Sequence, residues 1–448
     1  MIVLVLFVAL IIFAVSFRAF SSKVKVTVCN EQCELDGCVW FAGYSLLMAP
    51  ILLSAIKEAK YIWWFVVIAA LTLLKKCNFS VLTHFKTYVL YFLWCLFGLF
   101  VGNFWIRGSL MLVKLSLVVA FAMIGYCCVP NRKSMTFCYS AAASGTILPL
   151  LLVSGYAEVI YPAVYWGASS VFFSYAGLAD CFTVLVPTLL GMFVFTNKKK
   201  FLLWAALLGG SSVVAVVRTG IGGFFIAVSL FALLRYRFKA VPGVFLLFLV
   251  AIACIFFVPQ VREKCFDTQT VERIEREGVG LYLLDAKIRD SGRENLRDIV
   301  MRAFNNRDPF CGAGTGATNV VLRVFASRGE TAAIAHNDYF VAYVDNGIIG
   351  LSLFILAMFF CVTHSIALIL SGKYSNETVL AGQVGVSSLA GALFAMGFDN
   401  VLGHITSSIG VSMILLGIFF RGIDEEDRMR KTTTRGQNEL QRNHTTVQ

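Results

Sequence analysis

The chain has 448 residues, of which 58% are hydrophobic and only 14% charged, whereas a soluble domain carries roughly a quarter charged. That balance excludes an ordinary soluble enzyme. The formal charge of +12 does not indicate a nucleic-acid partner, because the basic residues stand in short clusters between apolar blocks, such as Asn131-Arg132-Lys133, Lys198-Lys199-Lys200 and Arg235-Tyr236-Arg237-Phe238-Lys239, the pattern of cytoplasmic loops.

In chain order, apolar blocks fall near residues 1–17, 39–56, 61–74, 87–105, 110–129, 135–155, 181–196, 201–217, 219–234, 240–258, 343–370, 378–398 and 404–420. A helix of about 20 residues crosses roughly 30 Å of hydrocarbon and satisfies its backbone internally. Residues 156–180, rich in aromatics and glycine, read as re-entrant, interfacial or a further span. The expected fold is an all-α polytopic membrane protein with about 12 to 14 transmembrane helices and one large, partly helical loop. Met1 to Phe17 lacks a basic n-region and a small-residue cleavage site, so it reads as a retained first span.

The clusters at 198–200 and 235–239, with Arg428-Met429-Arg430-Lys431 near the end, call for the cytoplasmic side. Alternation from them puts Arg218, the charged segment 259–338 and the short turn at Asp399 on the opposite face. The expected organisation is an N-terminal bundle at 1–258, an outer loop at 259–338, C-terminal transmembrane helices at 339–420 and a disordered cytoplasmic tail at 421–448. Among the 13 cysteines, Cys95, Cys127, Cys128, Cys254 and Cys361 lie inside apolar blocks and read as small core residues. Cys29, Cys33 and Cys38 are close enough to allow a disulfide if their loop faces an oxidising compartment. No Cys-x-x-Cys pairs with zinc spacing and no His-x-x-x-His occur, so no metal site is expected.

The outer face carries the residues suited to chemistry. Arg218 lies between two apolar blocks, where it is either a membrane-edge arginine or a bidentate anion ligand. The glycines at 220, 222 and 223 would let a bulky headgroup approach the backbone. Asn295 to Phe304 shows the period of an amphipathic helix with Leu296, Ile299, Val300 and Phe304 toward the buried side. Ser291 is its expected N-cap, Arg293 stands just before it, and Asp308-Pro309 is expected to end it. Gly312-Ala313-Gly314-Thr315-Gly316 has the composition of a phosphate nest. His336, followed by Asn337, Asp338 and Tyr339 where apolar character resumes, can act as a general base at neutral pH, with Asp338 or Asp345 to orient it.

Three elements in order, Arg218-Thr219-Gly220, then Ser291-Gly292-Arg293 ahead of the turn at 308–316, then His336-Asn337-Asp338-Tyr339 running into Asp345-Asn346-Gly347-Ile348-Ile349-Gly350, resemble the bacterial O-antigen polymerase and ligase superfamily. The resemblance covers about residues 210–360. It implies a C-type glycosyltransferase-like enzyme of the bacterial inner membrane, taking a glycan from undecaprenyl diphosphate at the periplasmic face to an acceptor hydroxyl, without metal or cofactor. By position it implies that Arg218 and Arg293 bind the diphosphate and neutralise the leaving group, and that His336 positions or deprotonates the acceptor. Gly312, Gly314, Asn337 and Tyr339 would help to bind diphosphate or glycan. Val217 stands where the family often has serine. The implied partners are the lipid-linked glycan, an acceptor glycan or lipid A core, membrane lipid and a chain-length regulator, with no nucleic acid. Tyr339 and the sequence from Asp345 to Gly350 favour a polymerase, which extends another lipid-linked repeat unit. The alternatives are a ligase acting on lipid A core, transfer to protein, and a transporter or flippase with Lys114 and Asp180 as its ionisable residues.

Overall fold

The computed structural model describes residues 22–28, 31–48, 79–144, 175–214, 218–257, 259–277, 293–328, 335–399, 401–404 and 409–445. Lys23–Val28 (β1) and Glu31–Asp36 (β2) form an antiparallel hairpin with Lys23 opposite Asp36. The other regular elements are helices: Gly37–Met48 (α1), Lys86–Gly102 (α2), Trp105–Tyr126 (α3), Arg132–Ser144 (α4), Tyr175–Thr196 (α5), Lys199–Val214 (α6), Arg218–Tyr236 (α7) and Val241–Phe257 (α8). Four more, Pro259–Cys265 (α9), Thr268–Glu277 (α10), Arg293–Ala303 (α11) and Ala317–Ser327 (α12), make the segment 259–338 partly helical, as expected. Asp338–Leu370 (α13), Asn376–Met396 (α14) and Ile409–Thr445 (α15) follow.

Among the described residues, five stretches are by length and composition apolar enough to cross a membrane: Phe79–Gly102, Trp105–Tyr126, Gly220–Phe257, Asp338–Leu370 and Asn376–Met396. This makes the chain a polytopic membrane protein. The described residues do not reach 12 to 14 spans. Expected spans at 1–17 and 61–74, with parts of 39–56, 135–155 and 156–180, lie outside them. Gly220–Phe257 takes in most of α7 and all of α8, which meet at a 3-10 turn where Arg237 has φ 53°. Helix α8 then returns along α7, since Ile221 and Ile255 line one cleft.

The core lies where α15 packs against α3 and α14. Gly417 comes against the Ala122 carbonyl and Gly125 against that of Ile414, so α3 and α15 cross at backbone contact, the means by which apolar helices gain packing where lipid offers no hydrophobic drive. Helices α7 and α14 cross the same way through Gly223 and Gly391. At one end of the bundle Asn131 and Ser134 cap α4 reciprocally, with Ser134 N–H to Asn131 Oδ1 at 2.8 Å and Asn131 N–H to Ser134 Oγ at 3.0 Å. Arg132 and Lys133 stand at this end with Arg430 of the tail helix, whose Gly422 meets Pro130 and Thr378, and so does the β hairpin, because the Cys128 thiol donates to the Cys38 carbonyl at 3.5 Å. Cys38 is buried and not disulfide-bonded, so the bridge that the spacing would permit in an oxidising compartment does not run through it. Cys29 lies outside the described residues.

Two further expectations are corrected. The tail is helical to Thr445 instead of disordered. Its acidic run is half-buried and partnered: Asp424 bonds His84 and Tyr126, Glu426 accepts from Ser375 and Thr378, and Arg421–Glu425 pair at i,i+4. The apolar span expected from 343 begins at Asp338 and is broken at Gly347, where φ is 68° and ψ −171°. Here the loop 309–314 is spliced into the helix. Val344 and Asp345 carbonyls accept from Ala313 and Gly314 N–H, both at 2.8 Å, while Ile348 and Ile349 N–H donate to the Pro309 and Phe310 carbonyls at 2.9 and 3.3 Å. A helix can break at membrane depth only where protein re-satisfies its backbone, and the inserted loop does so.

Candidate active site

All four residues of His336-Asn337-Asp338-Tyr339 have definite partners. Asn337 is the N-cap of α13, its side chain accepting the Phe340 N–H at 2.9 Å. The other three reach across to the end of α14 and the turn after it. His336 Nδ1 lies 3.0 Å from Asp399 Oδ1, Asp338 Oδ2 accepts the Leu402 N–H at 2.9 Å, and the Tyr339 hydroxyl donates to the Leu393 carbonyl at 2.7 Å. The motif is therefore a clasp that fixes the start of α13 on the end of α14. The partner of His336 is Asp399, not Asp338 or Asp345 as expected. Asp338 is buried and turned to the backbone of the 401–404 turn, and Asp345 faces the glycine loop.

The His336 side chain is 36% exposed and that of Asp399 10%. A buried carboxylate accepting from Nδ1 holds the ring in the tautomer whose Nε2 lone pair faces outward, the arrangement a general base needs. Asn337 and Tyr339 spend their described polar contacts on the protein itself. Both contacts hold the start of α13 in place.

The arginines enter through the helices they open. Helix α7 begins at Arg218, and one turn on, Gly222 packs against Phe394 of α14. Five residues beyond Phe394 stands Asp399. The other end of the same crossing is fixed by Gln383, whose side-chain amide donates to the Leu234 carbonyl at 3.1 Å, so the first turn of α7 lies at the His336 end. Helix α11 begins at Arg293. As its periodicity predicts, Leu296 and Val300 are buried, sharing a cluster with Leu322 and Val344, with Phe304, Phe340 and Ala335, the neighbour of His336, against it. Helix α11 ends at Ala303, before Asp308-Pro309, because Phe304 to Asn306 already turn the chain toward the bundle. The expected cap Ser291 lies outside the described residues.

The glycine loop is a nest, but a filled one. Gly312, Gly314 and Gly316 have φ of 79°, 100° and 91°, the left-handed region that glycine enters freely. The N–H groups from Gly312 to Gly316 go to Asp308 O, Val344 O, Asp345 O, Gly98 O and Asp345 Oδ2 in turn. None is left for a phosphate, so the reading of Gly312 and Gly314 as diphosphate ligands is corrected: they let the loop pass against Gly102 and Gly347.

Beside α7 a cleft of ≈ 940 Å³ opens between α7 and α8. Its lining, including Ile221, Phe225, Leu233, Phe245, Phe248 and Phe394, is apolar. Phe394 also belongs to the α14 end that carries Asp399, so the cleft adjoins the site.

The sequence does not show that Asp399 pairs with His336. Its one signal was a lone acid in the outer turn between two apolar blocks. Residues 201–355, which hold Arg218, Arg293 and His336, match the family model described as O-antigen ligase. This segment is that of the O-antigen polymerase and ligase superfamily, a class of glycosyltransferase-like membrane enzymes. No curated protein matches the chain.

Proposed function

We propose that the chain is an O-antigen or exopolysaccharide polymerase: it transfers a glycan from undecaprenyl diphosphate to a hydroxyl of another lipid-linked repeat unit at the periplasmic face of the inner membrane. The observation that carries the reading is the His336–Asp399 pair, at the bundle end where the helices carrying Arg218 and Arg293 begin. The basic loops lie at the opposite end, which by the positive-inside rule is the cytoplasmic one.

In this reading His336 Nε2 takes the proton of the acceptor hydroxyl as its oxygen attacks the anomeric carbon. The bond from that carbon to the diphosphate oxygen breaks, and undecaprenyl diphosphate leaves with the electron pair. Arg218 and Arg293 neutralise the charge that develops there, commonly the largest catalytic contribution. The α7–α8 cleft, apolar and open beside the site, suits the polyprenyl chain.

A second reading is ligation of the finished glycan to lipid A core, favoured by the description of the matching family model. The glycan ladder separates the two. Deletion of the gene leaves single repeat units if the chain is a polymerase, whereas a ligase leaves full-length polymer on undecaprenyl diphosphate beside bare core. Unchanged ladders on core in the deletion strain would remove both readings.

A further inference from the structure

Asp345 is a buried carboxylate, 1% exposed, that the reaction above does not use. Its Oδ2 accepts the Gly316 N–H at 2.8 Å, and its Oδ1 accepts the N–H and hydroxyl of Thr318 at 2.8 and 2.6 Å. These donors open helix α12, whose own cap position, Gly316, has no side chain to offer. A carboxylate at a helix N-terminus meets unpaired N–H groups and the positive end of the helix dipole. Asp345 thus caps α12 from another helix, across the break in α13.

The consequence passes through packing. Leu322 of α12 lies in the cluster formed by Leu296 and Val300 of α11 and by Val344, the residue before Asp345. Helix α12 is therefore the layer between the Asp345 carboxylate and the helix that begins at Arg293. Thr315 locks the same loop from the other side, its hydroxyl 2.6 Å from the Cys95 carbonyl oxygen and 2.7 Å from Asn346 Oδ1.

We propose that Asp345 is a positioning residue: by capping α12 it sets where α11, and with it Arg293, stands relative to His336. The inference rests on the reading of Arg293 as a donor ligand. It differs from plain stabilisation in one respect, that its effect on turnover runs through Arg293 alone.

The test uses the full chain in nanodiscs, with its own undecaprenyl-diphosphate-linked repeat unit as donor. Asp345→Asn, which puts an amide where three donors converge, is expected to speed hydrogen exchange in 293–303 and 316–327 about 10-fold while 376–396 holds. It should lower kcat/KM for the donor about 10-fold in the wild-type background and leave the residual activity of Arg293→Ala unchanged, because groups acting as one unit are not additive. Thr318→Val, which removes one donor, should move exchange the same way by about threefold, and it carries the test if Asp345→Asn does not fold. Unchanged exchange in 293–303, or a loss that adds fully to that of Arg293→Ala, overturns the proposal. If wild-type protein transfers no lipid-linked glycan, the functional reading fails, while the exchange data still decide whether Asp345 holds α11.

Discussion

The bundle carries a histidine–aspartate pair at each end, and the two differ in what is left over. At the basic end His84 Nε2 lies 3.3 Å from both Asp424 oxygens, the ring stacks on Phe420 with centroids 4.2 Å apart, and Asp424 also accepts from Tyr126, which in turn accepts from Ser80 at 2.8 Å. The His84 side chain is only 12% exposed. At the other end His336 gives one nitrogen to Asp399 and keeps the other face of the ring in the open. The same two residue types make a lock where the ring is covered and its partner saturated, and leave a ring open to solvent, as the proposed base requires, where only Nδ1 is engaged.

The largest effect expected from that contrast is loss of glycan transfer in His336→Ala, about 10²- to 10⁴-fold, the range for a general base. Turnover of lipid-linked donor by protein that retains wild-type thermal stability measures it. Transfer at the wild-type rate would make His336 as structural as His84. Next comes Asp399→Asn, expected to cost about 10²-fold in kcat by freeing the ring to take the wrong tautomer, with donor KM little moved. At the basic end the pattern reverses. Asp424→Asn should lower stability by about 1–3 kcal/mol, since it leaves buried donors unpaired, while activity per folded molecule stays near wild type; a thermal melt read beside turnover shows both.

The acid side of the stability profile sharpens the comparison further. Burial alone would raise the Asp424 carboxyl, but hydrogen bonds from His84 and Tyr126 outweigh it and, with the charge of Arg421, hold it below the usual carboxylate range. A group so depressed contributes stability that is present above its unfolded value and is lost as pH falls through the folded one. Melting temperature should therefore drop on acidification, and Asp424→Asn should flatten that slope. The smallest effect is that of Asn337→Ala, about 1 kcal/mol for a lost helix cap, with donor KM within about threefold. A KM rise beyond tenfold would return Asn337 to the substrate.

Particular residues show how far the sequence could be read. The period of Leu296, Ile299, Val300 and Phe304 showed a helix and its buried side, and packing agreed, because amphipathicity is local and the core only accepts it. The order of Arg218, Arg293 and His336 resembled that of the superfamily whose model residues 201–355 match. The acidic run after Arg421 looked like a solvated tail, since charge in one dimension does not reveal that Ser375, Thr378 and His84 wait opposite. The glycine run looked like an anion nest for the same reason: its φ angles were legible, its acceptor was not.

By itself the sequence determined a membrane protein, its basic clusters and the three residues proposed to carry the chemistry, because hydropathy, charge and motif are properties of short stretches. Only the tertiary structure decided that His336 pairs with Asp399, that the loop 309–314 fills the break at Gly347 and that Asp345 occupies the glycine nest. Each of these joins groups about 30 or more residues apart in the chain, and which donor meets which acceptor across such a distance is settled by how helices pack. Glycines such as Gly223 and Gly391 set that packing by letting backbones touch.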